Sequence, residues 1–202
     1  MAKLYFRYGA MNSGKSTILM QVAHNYEERG MKVAVLKPKV DTKAQAKISS
    51  RIGLEREVDH LIEKEENIYE IFARSEEKPN AIIVDEAQFL EPEQVDELME
   101  IVVKLNIPVI CYGLRTDFKT NGFPGSTRLL EIAHTLEDMK TICRCGSKAM
   151  YNMRMVNGEP IFEGEQVAID GGAVISYESV CPKCYYQMVE THKEKPKQYV
   201  KK

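Results

Sequence analysis

Leu4-Tyr5-Phe6-Arg7-Tyr8-Gly9-Ala10-Met11-Asn12-Ser13-Gly14-Lys15-Ser16-Thr17 is the stretch on which the reading of the fold turns. Its first five residues are bulky and strand-forming, and the next eight match the P-loop pattern of Gly, four residues, Gly, Lys and Ser or Thr. Beyond Lys15, Ile18, Leu19, Val22 and Ala23 fall on one helical face until Gly30, a stop signal, so a helix is predicted over 15–29. Strand, glycine turn and helix are the parts that phosphate binding needs. Backbone N–H groups turn inward, and the positive end of the helix faces the same anion. In that arrangement Lys15 reaches the β- and γ-phosphates of ATP and the Ser16 hydroxyl ligates magnesium.

The same rhythm continues along the first two thirds of the chain. Residues 33–36, 81–84 and 109–112 read as buried strands, and Val95, Leu98, Met99, Val102 and Leu105 give 91–105 a helical period opened by Glu91-Pro92. Strands alternating with helices predict an α/β fold with a parallel sheet. Residues 40–66 show no period and are expected to form mostly a mobile loop. From Thr141 the character changes to short strands and turns around cysteine pairs. A boundary near Asp138 then gives a nucleotide-binding domain over 1–138, a zinc-binding domain over 139–191 and a frayed, Lys-rich tail over 192–202.

Composition narrows the function. The 202 residues carry 28 basic and 30 acidic side chains, a net charge of −2, with 44% hydrophobic and 29% charged residues. That balance excludes wholesale disorder and argues against a chain built to coat nucleic acid or an anionic membrane. No run of 18 apolar residues occurs, and Lys3 and Arg7 interrupt the start, so a cytoplasmic chain without an export signal is expected.

Two further clusters carry chemistry. Ile82-Ile83-Val84-Asp85 is an apolar strand ending in a carboxylate, placed to hold magnesium beside the P-loop. Glu86, one position on, is placed to take a proton from an attacking nucleophile. A substrate hydroxyl as that nucleophile means a kinase; water means an ATPase. Cys143, Cys145, Cys181 and Cys184 supply the four thiolates of a closed, structural zinc site that pins together the two ends of the 146–180 loop. That loop has the apolar, aromatic and glycine content to close over a flat small molecule, or to form a satellite hairpin with its own small core. Cys111 lies in an apolar run and reads as a core thiol. His24, His60, His134 and His192 have no partners at ligand spacing.

Four motifs in order make the chain resemble the cytosolic, type II thymidine kinase family. They are residues 9–17 as quoted above, Asp85-Glu86-Ala87-Gln88-Phe89, Tyr112-Gly113-Leu114-Arg115-Thr116-Asp117-Phe118 and Tyr177-Glu178-Ser179-Val180-Cys181. The resemblance implies a RecA-like P-loop domain with a zinc-tethered lasso loop, and transfer of the ATP γ-phosphate to the 5′-hydroxyl of thymidine. It also implies a homotetramer and feedback inhibition by deoxythymidine triphosphate. Residue by residue it makes Glu86 the catalytic base, and Asp85, Glu86, Ala87 and Gln88 the magnesium and phosphate region. Met11, Phe89, Leu114, Phe118 and Phe123 then surround the thymine, Tyr177 lies near the sugar, and Val167 and Ile169 supply the lasso backbone that reads the base. Three departures stand out. The family's acidic-x-Arg element is here Asp41-Thr42-Lys43, whose Lys offers a point charge in place of a bidentate fork. Asn12 replaces a common Phe, and the first cysteine pair has one spacer residue. Two rival readings are a RecA-type DNA-dependent ATPase, which needs a basic track for its strand, and a zinc adaptor that binds nucleotide only as a switch.

Overall fold

A computed structural model describes residues 1–40, 46–164, 166 and 174–194. In chain order its elements are β1 (Leu4–Tyr8), α1 (Lys15–Glu27), β2 (Val33–Pro38), β3 (Lys47–Ser49), β4 (Glu55–Glu57), β5 (His60–Ile62), α2 (Ile68–Arg74) and β6 (Ala81–Val84). There follow α3 (Pro92–Glu100), β7 (Val109–Gly113), α4 (Pro124–Ile132), β8 (Thr135–Asp138), β9 (Tyr151–Val156), β10 (Glu159–Ile161), β11 (Ile175–Val180) and α5 (Pro182–Glu194). Six strands form one sheet in the order β5-β2-β6-β7-β1-β8, and every neighbouring pair is parallel. This is the α/β architecture that the alternation of elements predicts.

Helices cover both faces, which is why the central strands are apolar throughout. All four residues of β6 are fully buried. One core packs Leu4, Phe6, Ile82, Val84 and Cys111 against α2, α3 and α4; the other packs Val35, Ile83 and Tyr112 against Leu19 and Ala23 of α1. Cys111 is fully buried, and burial pushes its thiol pKa up, as suits a core thiol. The predicted helix 91–105 is present as α3 continued by a π-type turn over Ile101–Leu105. A capping box between Glu91 and Gln94 and Pro92 in the first turn open it.

Five segments differ from the sequence reading. The stretch expected to be mostly a mobile loop holds the antiparallel hairpin β3–β4 and the edge strand β5. Three-residue strands are too short to show a period. Single contacts hold them: Ile48 is buried, the Asp59 carboxylate accepts from Val35 N at 2.7 Å, and Arg56 forks onto Glu27 of α1 at 2.7 and 3.0 Å. Helices α2 and α4 and the exposed edge strand β8 were not foreseen from the sequence. After the second cysteine pair, where turns were expected, α5 runs on to Glu194 and so enters the stretch expected to fray.

Because all six strands are parallel, their carboxyl ends lie along one edge, where ligands bind in open α/β sheets. The ends of β1, β6 and β7 deliver Gly9, Asp85 with Glu86, and Leu114 to that edge. Beyond it, β10-β9-β11 form a small antiparallel sheet, packed with α5 around Cys143, Met153, Val180, Cys181 and Tyr185.

Candidate active site

Two cavities open at the carboxyl edge. The outer one, about 320 Å³, is lined by Met11, Asn12, Gly14, Lys15, Ser16 and Thr17 on one side and by Ser49, Ser50, Arg51 and Ile52 of the β3–β4 turn on the other. Glu86 and Leu114 close its inner end. The inner cavity, about 180 Å³, is lined by Met11, Glu86, Gln88, Phe89, Leu114, Thr116, Asp117, Phe118, Phe123, Asn152, Gln166 and Tyr177. Met11, Glu86 and Leu114 line both, so the two spaces adjoin around these three residues.

The 9–17 loop is shaped for close approach. Gly14 caps α1 at φ 78°, a left-handed conformation that suits glycine. A Cβ on Gly9 would come 2.5 Å from the Met139 carbonyl oxygen. Asn12 sits at φ 65°, a left-handed conformation that Asn adopts more readily than most residues. The Lys15 ammonium donates to Ala10 O at 2.9 Å, Ser13 Oγ at 3.2 Å and Gly9 O at 3.3 Å. Burial pulls its pKa below the ordinary value, against the opposing pull of Glu86 and Asp85.

The two carboxylates differ. Asp85 is buried at the end of β6, and desolvation, followed by the charge of Glu86, pushes its pKa up to about 7 against the pull of Lys37 and Lys15. A buried carboxylate next to a second one favours a bound cation, which would hold it ionised. Glu86 has a left-handed backbone, φ 51°, at the start of the single 3-10 turn Ala87–Phe89. Such a conformation in a non-glycine residue persists only where surrounding contacts impose it. Gln88 supplies them: its Nε2 donates to the Glu86 carboxylate and its Oε1 accepts from Leu114 N at 3.0 Å.

The described residues expected around the thymine, Met11, Phe89, Leu114, Phe118 and Phe123, line the inner cavity, as does Tyr177, expected near the sugar. Phe89 and Phe123 meet edge to face at 5.5 Å. Val167 and Ile169 lie outside the described residues, as do Asp41, Thr42 and Lys43. Of the residues expected at ATP, Ser13, Asp85 and Ala87 do not line the outer cavity, Gly9 and Ala10 line a separate small cleft with Arg115 and Met150, and Gln88 lines the inner cavity. The sequence reading missed Arg51, Asp117, Asn152, Arg154 and Gln166. Asn152 and Arg154 did carry a signal, being polar residues two apart in an otherwise apolar strand and therefore on one face.

The four cysteines are brought together, their sulfurs all within 4.8 Å of one another. Tetrahedral zinc with Zn–S bonds of about 2.3 Å would set sulfurs about 3.8 Å apart. Cys145 and Cys181 stand at 3.5 Å, so the donor set fits a closed zinc site. A turn with Gly146 at φ 86° presents the first pair, and the start of α5 presents the second. This module reaches the glycine loop directly. Asn152 Oδ1 accepts from Met11 N at 2.7 Å, and the Ser179 hydroxyl donates to Met11 O. Both backbone groups of Met11 are therefore held by β9 and β11.

The thymidine kinase family profile matches residues 2–185. A Legionella pneumophila (strain Paris) thymidine kinase is 46% identical over 202 residues, covering 98% of this chain and 95% of its own. A Listeria monocytogenes (strain F2365) thymidine kinase is 48% identical, covering 92% and 97%, and one from Streptococcus pyogenes (strain MGAS315) is 43% identical, covering 92% and 98%. The chain belongs to the thymidine kinase family. That membership bears out the resemblance read from the four motifs and does not favour a DNA-dependent ATPase. In this member of the thymidine kinase family the two cavities at the carboxyl edge share Met11, Glu86 and Leu114. No helix among the described residues is long and apolar enough to cross a membrane.

Proposed function

We propose that the protein is a thymidine kinase that transfers the γ-phosphate of ATP to the 5′-hydroxyl of thymidine, and of deoxyuridine, with Glu86 as general base. The observation that carries this reading is that Glu86 lines both the cavity at the glycine loop and the aromatic one. Family membership supports the chemistry, that of an ATP-dependent nucleoside kinase. In this reading the 9–17 loop and Lys15 hold the triphosphate in the outer cavity, while the aromatic walls of the inner cavity hold the base. Ser16 and Asp85 would hold magnesium, which would supply positive charge to the phosphates. Glu86 accepts the proton as the 5′-oxygen bonds to the γ-phosphorus and the bond from that phosphorus to the β-phosphate oxygen breaks, leaving ADP. Filling the inner cavity excludes water and so suppresses hydrolysis.

Residues 1–138 act as the nucleotide-binding domain and 139–191 as the zinc-held module that closes the nucleoside site. The contacts of Asn152 and Ser179 with Met11 support that division of labour. Deoxythymidine triphosphate suits the joined cavities, its base in the inner and its phosphates in the outer, and is read as a feedback inhibitor. Homotetramer formation and a cytoplasmic location follow the family resemblance.

The test is phosphate transfer from labelled ATP to a panel of nucleosides, with and without DNA. Labelled thymidine monophosphate supports the reading. Free phosphate alone, stimulated by DNA, overturns it.

A further inference from the structure

Arg154 is a buried cation in the middle of β9, only 4% exposed. Its guanidinium carbon lies 3.8 Å from the centre of the Phe118 ring. Its Nε donates to the Tyr177 hydroxyl at 3.0 Å, and Nη2 donates to the Gln166 backbone carbonyl at 2.8 Å. The three partners come from separate parts of the chain: the turn after β7, the strand β11 and the stretch beyond β10. All three line the inner cavity. Arg154 thus braces one wall of that cavity, while Asn152, two residues earlier on the same face of β9, holds Met11 on another.

The polarity of these bonds has a consequence for Tyr177. Arginine has only donors, so the Tyr177 oxygen accepts from Nε, and its one proton is directed to an acceptor elsewhere. We propose that Arg154 is a positioning residue for the nucleoside, fixing Tyr177 as a hydrogen-bond donor into the inner cavity and locking Gln166 and Tyr177 to the Phe118 ring. The planar fork matters: lysine, a point charge, cannot stack on Phe118 and donate in two fixed directions at once. This inference rests on the assignment of the inner cavity to thymidine.

The experiment measures KM for thymidine, KM for ATP and kcat in Arg154→Met, Arg154→Lys, Tyr177→Phe and the Arg154→Met/Tyr177→Phe double variant. Arg154→Met should raise the thymidine KM by about tenfold or more while leaving the ATP KM within about twofold. Arg154→Lys should recover little of that loss. Adding Tyr177→Phe to Arg154→Met should change the thymidine KM by less than about twofold, because Tyr177 has already lost its orientation. Additive effects, an unchanged thymidine KM, or equal increases for both substrates would overturn the proposal. Should Arg154→Met fail to fold, Arg154→Lys decides: a thymidine KM within about twofold of wild type refutes it. A wild type that makes no thymidine monophosphate fails the cavity assignment, and the inference with it. Normal activity with variants indifferent to thymidine refutes the inference alone.

Discussion

Replacing Gln88 by leucine removes the support under Glu86 while filling the site, which is 1% exposed, with an apolar side chain of similar bulk. Leucine offers neither bond that Gln88 makes. The half-buried Leu114 N–H loses its acceptor at 3.0 Å, and the Glu86 carboxylate loses its donor. Orphaning a buried amide costs about 1–3 kcal/mol. Glu86 is partly exposed and recovers water, so its share is small. We expect a loss of roughly 2 kcal/mol, a fall of about 4–8 °C in Tm for a chain of this size. The catalytic loss should be larger, because a carboxylate on a left-handed backbone is free to swing once its partner is gone. We expect kcat to fall about 10- to 100-fold with the ATP KM nearly unchanged. Thermal melting and steady-state thymidine phosphorylation read the two effects separately. Gln88→Glu keeps an acceptor for Leu114 N–H but sets a second buried carboxylate against Glu86. It should therefore lose turnover at neutral pH and be less stable at pH 8 than at pH 5, where the new carboxyl can hold a proton. A Gln88→Leu protein with wild-type kcat, or one impaired only in the ATP KM, would refute the claim that Gln88 holds the base in place.

Two other perturbations follow from the electrostatics and the cysteine cluster. Desolvation raises the Asp85 pKa to about 7 in the folded chain, so the folded state holds a proton that the unfolded state has already lost. Stability therefore falls as pH rises from the unfolded value toward 7 and is flat above it. Asp85→Asn should raise Tm at pH 8 by several degrees and at pH 4 hardly at all, in protein without nucleotide or added magnesium, and should abolish transfer. Equal Tm shifts at both pH values would contradict this origin of the cost. Removing zinc by chelation should raise the thymidine KM before the α/β core melts, because the metal-held module grips Met11 at both backbone groups. Simultaneous loss of binding and far-ultraviolet ellipticity would mean that core and module unfold together.

Long apolar periods and glycine chemistry made much of this fold legible in the sequence. Leu4–Tyr8, Ala81–Val84 and the helix beyond Lys15 stood out because burial on both faces, or one continuous apolar stripe, writes a pattern several residues long. The hairpin β3–β4 and the strand β5 write no such pattern. Their stability comes from Asp59 reaching Val35 and from Arg56 reaching Glu27, pairs 24 and 29 residues apart. The edge strand β8 is exposed at all four positions and held by backbone pairing with β1, which any sequence can supply. The site divides in the same way. Gly9, Lys15, Asp85, Glu86 and the cysteines are legible because their chemistry demands those residue types at fixed local spacing. Arg51 was not legible, and Arg154 showed only as a polar residue in an otherwise apolar strand, with its partners far off in the sequence. Arg154 meets Tyr177 across 23 residues, and Arg51 lines the same cavity as Lys15 because it sits in the turn between β3 and β4.

The central claim is that Glu86 takes the proton of a nucleoside hydroxyl at the meeting of two cavities, and its most direct test is turnover of Glu86→Gln. Glutamine keeps the size of the side chain and can still meet Gln88, but it cannot accept a proton as a base. The account predicts at least a roughly 100-fold fall in thymidine monophosphate formation, with ATP and thymidine still binding at close to wild-type affinity. Turnover equal to that of the wild type would contradict it.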